Sequence, residues 1–362
     1  MSEPFDVIDF VVNKGNGAKG LSDLGLQSVL DHYIQPPEER IDGSKVLADE
    51  SVPIIDLSNW ESDDPNLAES IREAAREWGF FQIVNHGIPT EVLENATMAG
   101  HRFFSLPAED RRNYFLKETS DSTTVRLRTS FIPQEEKLLE WIDFLSHVYS
   151  DDSKASESWA SVSKDQILEY MKCYYRDSNA KEIDETKENM LMGTLMVNFN
   201  YCAMRPNPDI TAGLRPDADV SSISILLQDD SGGLYVRAKD VKNCMSVKPV
   251  KGALVVNVGD VLQIVSNDRY ESIEHRVSPS ASKNKISVPV FANPKSDVLF
   301  GPLPEALQPG EKPICKEVLY GDYFAYYFSK AHDGKHTIEY ICLRTDNGED
   351  PCQGPNPDPD WH

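Results

Sequence analysis

Between residues 197 and 291 the chain is built from apolar runs too short for helices that bury a face. They fall at 197–199, 223–227, 234–236, 254–257, 261–265 and 286–291, and are broken by Gly232–Gly233, Gly252, Gly259 and Asn267–Asp268. Short runs between turn residues predict strands of an antiparallel sandwich or barrel. Helical spacing flanks them. Asp64 before Pro65 is an N-cap followed by proline at the first helical position. Leu67, Ile71, Ala74, Ala75 and Trp78 then recur at helical spacing until Gly79. Residues 80–84 read as a buried strand, Asn85-His86-Gly87 as a turn with His86 structural, and 91–104 as a second helix. Residues 183–196 and 320–331 add helical character. The fold class predicted is α+β, an antiparallel core with helices before and after it.

The balance of 36 basic against 59 acidic residues, net −23, argues against phosphate backbones and anionic lipid as partners. No apolar run is long enough to span a bilayer, and residues 1–10 lack the layout of a signal peptide. A cytoplasmic monomer acting on a small molecule, with no nucleic acid and no membrane partner, is the expectation. Cys173, Cys202, Cys244, Cys315, Cys342 and Cys352 form no CxxC pair and read as free thiols.

Several strings go beyond pattern. Residues 79–89 read GFFQIVNHGIP; ILLQD stands at 225–229, GGLYV at 232–236, GALVVNVGD at 252–260, SNDRY at 266–270 and EHRV at 274–277. Together they resemble the plant 2-oxoglutarate/Fe(II)-dependent dioxygenases. DFVVNKG at 9–15, STTV at 122–125 and AHDGK at 331–335 point, within that family, toward the feruloyl-CoA ortho-hydroxylases. The resemblance implies a double-stranded β-helix (jelly-roll) core with flanking N- and C-terminal helices. With the pass along the chain it divides the sequence into 1–50 (a leading arm with a Gly/Asn stretch at 14–20), 51–195 (helical and mixed region), 196–295 (jelly-roll core), 296–340 (C-terminal segment and helix) and 341–362 (a flexible tail, Pro/Asp/Gly-rich from Asp346 and expected to be disordered).

The family holds Fe(II) with His-x-Asp and a distant histidine, leaving positions open for 2-oxoglutarate and O₂. An Arg-x-Ser ten residues after that histidine and an earlier Asn-x-Tyr grip the cosubstrate. Here Asp219 and His275 match, but Asp217 stands in place of the first histidine. Lys285 replaces the arginine before Ser287, and Cys202 replaces the tyrosine after Asn200. Asp217, Asp219 and His275 are thus the candidate catalytic and metal set, a harder donor set suited to Mn²⁺ or Mg²⁺. Asn200, Cys202, Lys285 and Ser287 are the candidate contacts for 2-oxoglutarate or a substrate carboxylate. Lysine keeps the charge of arginine but loses its two-pronged fork.

Three functions follow. The first is a redox-neutral acid–base reaction on a small aromatic or alkaloid-like molecule, without cofactor. It rests on residues 217 and 219 projecting from one strand face, where adjacent carboxylates disfavour joint ionisation. The second is a 2-oxoglutarate-dependent hydroxylase with an Asp/Asp/His site for Fe(II). The third is a binding protein without catalysis. Val125, Phe131, Phe144 and Phe291 are the candidate pocket wall, with Trp141 beside them. The acidic run 134–140 reads as a solvated face, and Arg215 and Arg237 as surface charges.

Overall fold

The computed structural model describes residues 5–26, 28–41, 43, 46–47, 51–62, 64–115, 125–130, 133, 136–149, 159–175, 184–205, 207–237, 244–329 and 337–342. The helices that frame the site are α1 (Gly17–Asp23), α2 (Pro65–Glu77), α3 (Thr90–Phe104), α4 (Ala108–Arg111), α5 (Lys164–Tyr175), α6 (Glu185–Met192), α7 (Asp260–Val265) and α8 (Tyr320–Ser329). The strands are β1 (Val46–Leu47), β2 (Ile54–Asp56), β3 (Phe80–Val84), β4 (Val125–Thr129), β5 (Asp143–Tyr149), β6 (Thr194–Cys202), β7 (Leu214–Asp217), β8 (Ile223–Gln228), β9 (Leu234–Arg237), β10 (Cys244–Ser246), β11 (Leu254–Val258), β12 (His275–Val277), β13 (Lys285–Asn293), β14 (Leu299–Phe300) and β15 (Val318–Leu319). They form an eight-stranded sheet in the order β2-β3-β11-β8-β13-β6-β5-β4 and a five-stranded sheet in the order β1-β10-β9-β12-β7. This is a double-stranded β-helix core with flanking helices.

The two-residue period of a strand divides the larger sheet between two duties. Leu195, Val197, Phe199 and Tyr201 of β6 join Ile286, Val288 and Val290 of β13 in the main apolar core. Val92, Ala96, Ala99 and Phe103 of α3 cover that face. Gly100 lets the helix sit close, since a Cβ there would lie 3.1 Å from Phe199 and 3.2 Å from Ile286. The alternate residues face the other way, toward the smaller sheet, and line a cavity between the sheets.

Helix α2 starts as its sequence requires. The Asp64 side chain accepts from the Asn66 amide at 2.9 Å, and Pro65 is the first helical residue. Gly79 at φ +63° turns the chain into β3, and a Cβ there would meet the Glu271 carbonyl at 2.6 Å. His86 is structural: Nε2 lies 2.9 Å from the Gly252 carbonyl, and Nδ1 accepts from the Ile88 amide.

Other expectations are corrected. Residues 261–265 are not a strand but most of α7, where Val261, Ile264 and Val265 pack at helical spacing against Tyr323. A five-residue apolar run does not reveal its own period. The glycine-rich stretch near residue 17 is helix α1, whose Ala18 and Lys19 amides both donate to the buried Asp143 carboxylate at 2.8 Å. Cys315 and Cys342 are not free thiols but a disulfide, brought together by an isolated bridge between their backbones. Cys173, Cys202 and Cys244 are free. Ile341 and Cys342, the first residues of the expected tail, are buried and ordered by that disulfide, while Cys352 and the rest of 343–362 lie outside the described residues.

Candidate functional site

The cavity between the sheets has a volume of about 280 Å³. Its large-sheet wall comes from one parity on each strand: Arg126 and Arg128 of β4, Phe144 of β5, Asn200 of β6, Ser287 and Phe291 of β13. Its small-sheet wall includes Asp217 of β7 and His275 of β12, which stand opposite each other in the ladder. Helix α8 closes a third side with Phe324, Tyr327 and Phe328.

Asp217 is the last residue of β7, so Asp219 lies beyond the strand and not on its face as expected. Asp219 is fixed instead from the large sheet. Its Oδ2 accepts from Ser224 Oγ at 2.5 Å and from Asn257 Nδ2 at 2.7 Å. Its Oδ1 lies 3.9 Å from His275 Nε2, a separation that leaves room for a shared cation. The His275 ring is braced edge-on by Phe80, with centroids 5.5 Å apart.

Asp217 is buried, and its Oδ2 accepts a 2.6 Å hydrogen bond from the Tyr327 hydroxyl. Burial first, then the neighbouring Asp217 carboxylate, holds the Tyr327 hydroxyl well above the ordinary tyrosine range, so it stays a donor. Among the described residues no three His, Cys, Asp or Glu side chains converge as a metal centre requires. In this side-chain arrangement the cavity gathers two of the three donors that the family pattern uses. Asp219 and His275 offer two ligands, and Asp217 is engaged elsewhere.

The cosubstrate end is altered more gently. Asn200 faces Ser287 across the β6–β13 ladder and Cys202 faces Lys285, two residues along on the same face. Asn200 and Ser287 line the cavity. Lys285 is 3% exposed and donates from Nζ to the Gly232 carbonyl at 2.5 Å. Burial pushes its pKa down. Cys202 is buried against Gly213, and burial pushes its thiol up to about 12, so it is a neutral packing group at physiological pH. Lys285 and Cys202, expected as cosubstrate contacts, do not line the cavity; the Lys285 side chain is turned to the Gly232 carbonyl, and a lysine there can offer a carboxylate only a point charge and not a fork.

The remaining expected wall divides. Phe144 and Phe291 line the cavity. Val125 does not, because its parity on β4 turns it into the core behind the sheet. Trp141 is core, with Nε1 donating to the Ala203 carbonyl and the Arg205 guanidinium 3.8 Å from its ring centroid. Phe131 lies outside the described residues. Glu140 is not solvated: it is 1% exposed, lines the cavity and accepts from the Arg215 amide at 2.7 Å. Arg215 is not simply a surface charge, since it is largely buried and pairs with Glu39 at 3.1 Å. Arg237 is exposed as expected. Arg126, Arg128, Tyr327, Ser224 and Asn257 are site residues that sequence reading missed. The alternation Val125-Arg126-Leu127-Arg128 was the available signal for the arginines.

Two family models match the chain: the non-haem dioxygenase in morphine synthesis N-terminal region over residues 52–167, and the 2OG-Fe(II) oxygenase superfamily over residues 193–294. The chain is 51% identical to a feruloyl CoA ortho-hydroxylase of Ipomoea batatas, covering 92% of this chain and 96% of the relative. It is 48% identical to feruloyl CoA ortho-hydroxylase 1 of Arabidopsis thaliana, covering 94% and 96%. Among solved structures, JOX2 in complex with 2OG, Fe and JA superposes with a TM-score of 0.74 at 29% identity, covering 90% of this chain and 97% of that one. A rice dioxygenase for auxin oxidation shares the fold, with a TM-score of 0.65 at 19% identity and coverage of 81% and 100%.

Proposed function

Because the chain belongs to the 2OG-Fe(II) oxygenase superfamily, we propose that it is a 2-oxoglutarate-dependent hydroxylase of small aromatic acyl compounds, with substrates of the hydroxycinnamoyl class that its relatives are named for. The observation that carries this reading is the cavity. An aromatic and apolar wall, Phe144, Phe291, Pro289 and Leu226 among it, flanks the Asp219–His275 pair and the polar Asn200–Ser287 pair in one cavity. Its volume of about 280 Å³ suits a single ring with a short side chain and not a whole coenzyme A ester. The redox-neutral route expected from the sequence gives way to hydroxylation because the relatives are named as hydroxylases.

In this reading each group has a task of its own. Phe144 and Phe291 hold the ring and exclude water. Asn200, Ser287 and the buried Lys285 ammonium receive the cosubstrate's anionic end. Ser224 and Asn257 fix the Asp219 carboxylate toward His275, and Phe80 fixes the imidazole. Two donors where the family pattern has three predict weak metal binding.

The test is incubation of the purified protein with Fe(II), 2-oxoglutarate, O₂ and feruloyl-CoA or ferulate. Formation of an ortho-hydroxylated product together with succinate supports the reading. A product made equally well without O₂ and 2-oxoglutarate returns the redox-neutral route, and no product from either substrate overturns the assignment.

A further inference from the structure

The acidic end of the cavity, with Glu140, Asp217 and Asp219, has a basic counterpart that the site described above does not use. Arg126 and Arg128 are two residues apart on β4, so both side chains leave the same face of the large sheet and both line the cavity. Arg128 stands opposite Phe144 in the ladder, Phe144 opposite Asn200, and Asn200 opposite Ser287. At the usual spacing of neighbouring strands this places Arg128 about 10 Å from the Asn200 row. The arginines are thus at the far end of the wall from the cosubstrate groups.

The state of Arg128 is unusual for a guanidinium. Its Nε is buried with no hydrogen-bond partner, and its guanidinium carbon lies 5.1 Å from the centroid of the Phe328 ring. Among the described residues no carboxylate pairs with Arg126 or Arg128. Burial, with the neighbouring Arg126 charge, pushes Arg128 down to about 10, still cationic at neutral pH. A half-buried guanidinium whose Nε is buried, held beside a second cation with no acid paired to it among the described residues, is a costly arrangement unless an anion joins it. The planar fork of arginine matches carboxylate and phosphate oxygens.

We propose that Arg126 and Arg128 form a substrate-anion subsite, receiving an anionic oxygen group of the substrate while the aromatic ring lies between Phe144 and Phe291. The inference rests on the hydroxycinnamoyl reading above and adds to it where the substrate's charge is read. The anion has two chemical sources, the carboxylate of a free acid held inside the cavity or a phosphate of a coenzyme A ester reaching in from its mouth. Both present the same oxygens to the two guanidinium groups.

The experiment is calorimetric binding of ferulate, feruloyl-CoA and methyl ferulate to the wild type and to Arg128→Gln, Arg126→Gln/Arg128→Gln and Arg128→Lys. No metal or turnover is needed, and a thermal melt confirms that each variant is folded. At least one anionic probe should bind wild type about tenfold or more tightly than methyl ferulate. The double variant should lose that preference while keeping its methyl ferulate affinity, and Arg128→Lys should keep part of it. Preference for ferulate assigns the carboxylate, and preference for feruloyl-CoA assigns the phosphate. Methyl ferulate binding as tightly as both anions, or a preference that survives the double variant, overturns the subsite and leaves the hydroxylase reading standing. Failure of all three probes to bind the wild type overturns the substrate reading and the subsite with it.

Discussion

The substitution Asp217→His isolates what the metal site lacks. In the wild type Asp217 lies across the ladder from His275 and accepts from the Tyr327 hydroxyl at 2.6 Å. Histidine there gives two imidazoles and the Asp219 carboxylate, the donor set that suits Fe(II). It also removes the Asp217 carboxylate from the Tyr327 hydroxyl, a hydrogen bond to a charged acceptor worth about 1.5–3 kcal/mol. At about 2.1 cal/mol/K per residue over 362 residues, 1 kcal/mol corresponds to roughly 1.3 °C in Tm. The metal-free variant should therefore melt about 2–4 °C below the wild type. Metal at one hundred times its Kd returns about 2.7 kcal/mol, so saturation should offset most of that loss. The two signs are opposite: lower stability without metal, higher metal affinity. Anaerobic calorimetry with Fe(II), or with Mn(II) as a redox-stable probe, reads the affinity, and scanning calorimetry with and without metal reads the stability. The variant should bind at least tenfold more tightly than the wild type. A wild type that already binds one metal tightly, with the variant no better, would refute the argument, because Asp217 would then be a working ligand.

Other perturbations test separate parts of the structure. Lys285→Arg should tighten 2-oxoglutarate binding by roughly tenfold, since a fork replaces a point charge beside Ser287; unchanged affinity by calorimetry would mean the cosubstrate does not reach this end. His147 is fully buried between Trp159 and Phe199, and burial pushes its pKa down to about 3. Its folded pKa lies below the unfolded value of 6.5, so protons favour the unfolded chain and stability falls as pH drops below about 6.5. Between pH 6.5 and 5 the loss is about 1.6 kcal/mol, and in an acid titration followed by circular dichroism His147→Leu should flatten that part of the curve. Opening the Cys315–Cys342 disulfide, which spans 27 residues, should cost about 3–4 kcal/mol by loop entropy and lower Tm by about 4–5 °C. A Cys315→Ser/Cys342→Ser variant that melts with the oxidised wild type would place that stabilisation at zero.

Local rules made some of this structure legible in the sequence and hid the rest. The strands β3, β8, β9, β11 and β13 were readable because each is an apolar run closed by glycine, asparagine or aspartate. Asp64–Pro65 announced α2 through a cap that needs only neighbours. What could not be read depends on partners far along the chain. Helix α1 forms from a glycine-rich stretch because Asp143, more than 120 residues away, accepts its first free amides. Strands β4 and β5 carry no apolar run of their own, because alternate residues such as Arg126, Arg128 and Ser146 line the cavity. The site divides in the same way. Asp219, His275, Asn200 and Ser287 were identified by motif and stand in one cavity. The fate of Asp217 was not legible, because it is decided by Tyr327, 110 positions later, and the arginines of β4 escaped notice because no motif includes them.

The departure from the family pattern is therefore not confined to one residue. Tyr327 and Phe328 are adjacent on α8; the first holds Asp217 and the second lies over Arg128. The same helix is fastened elsewhere by Tyr323 to Asp260 and by Tyr320 to Asn293, both at 2.8 Å. Asp260 in turn donates its amide to the Asp219 carbonyl at 2.7 Å. One helix thus packs against the metal donors, the cavity roof and the basic end together. Moving Asp217 toward His275 would require Tyr327 to yield, and Tyr327 cannot shift far without carrying Phe328 from Arg128. Coupling between sites is reciprocal. If metal draws Asp217 inward, metal and the substrate anion must alter each other's affinity by the same factor. If metal binds through Asp219 and His275 alone, the arginines will not register it.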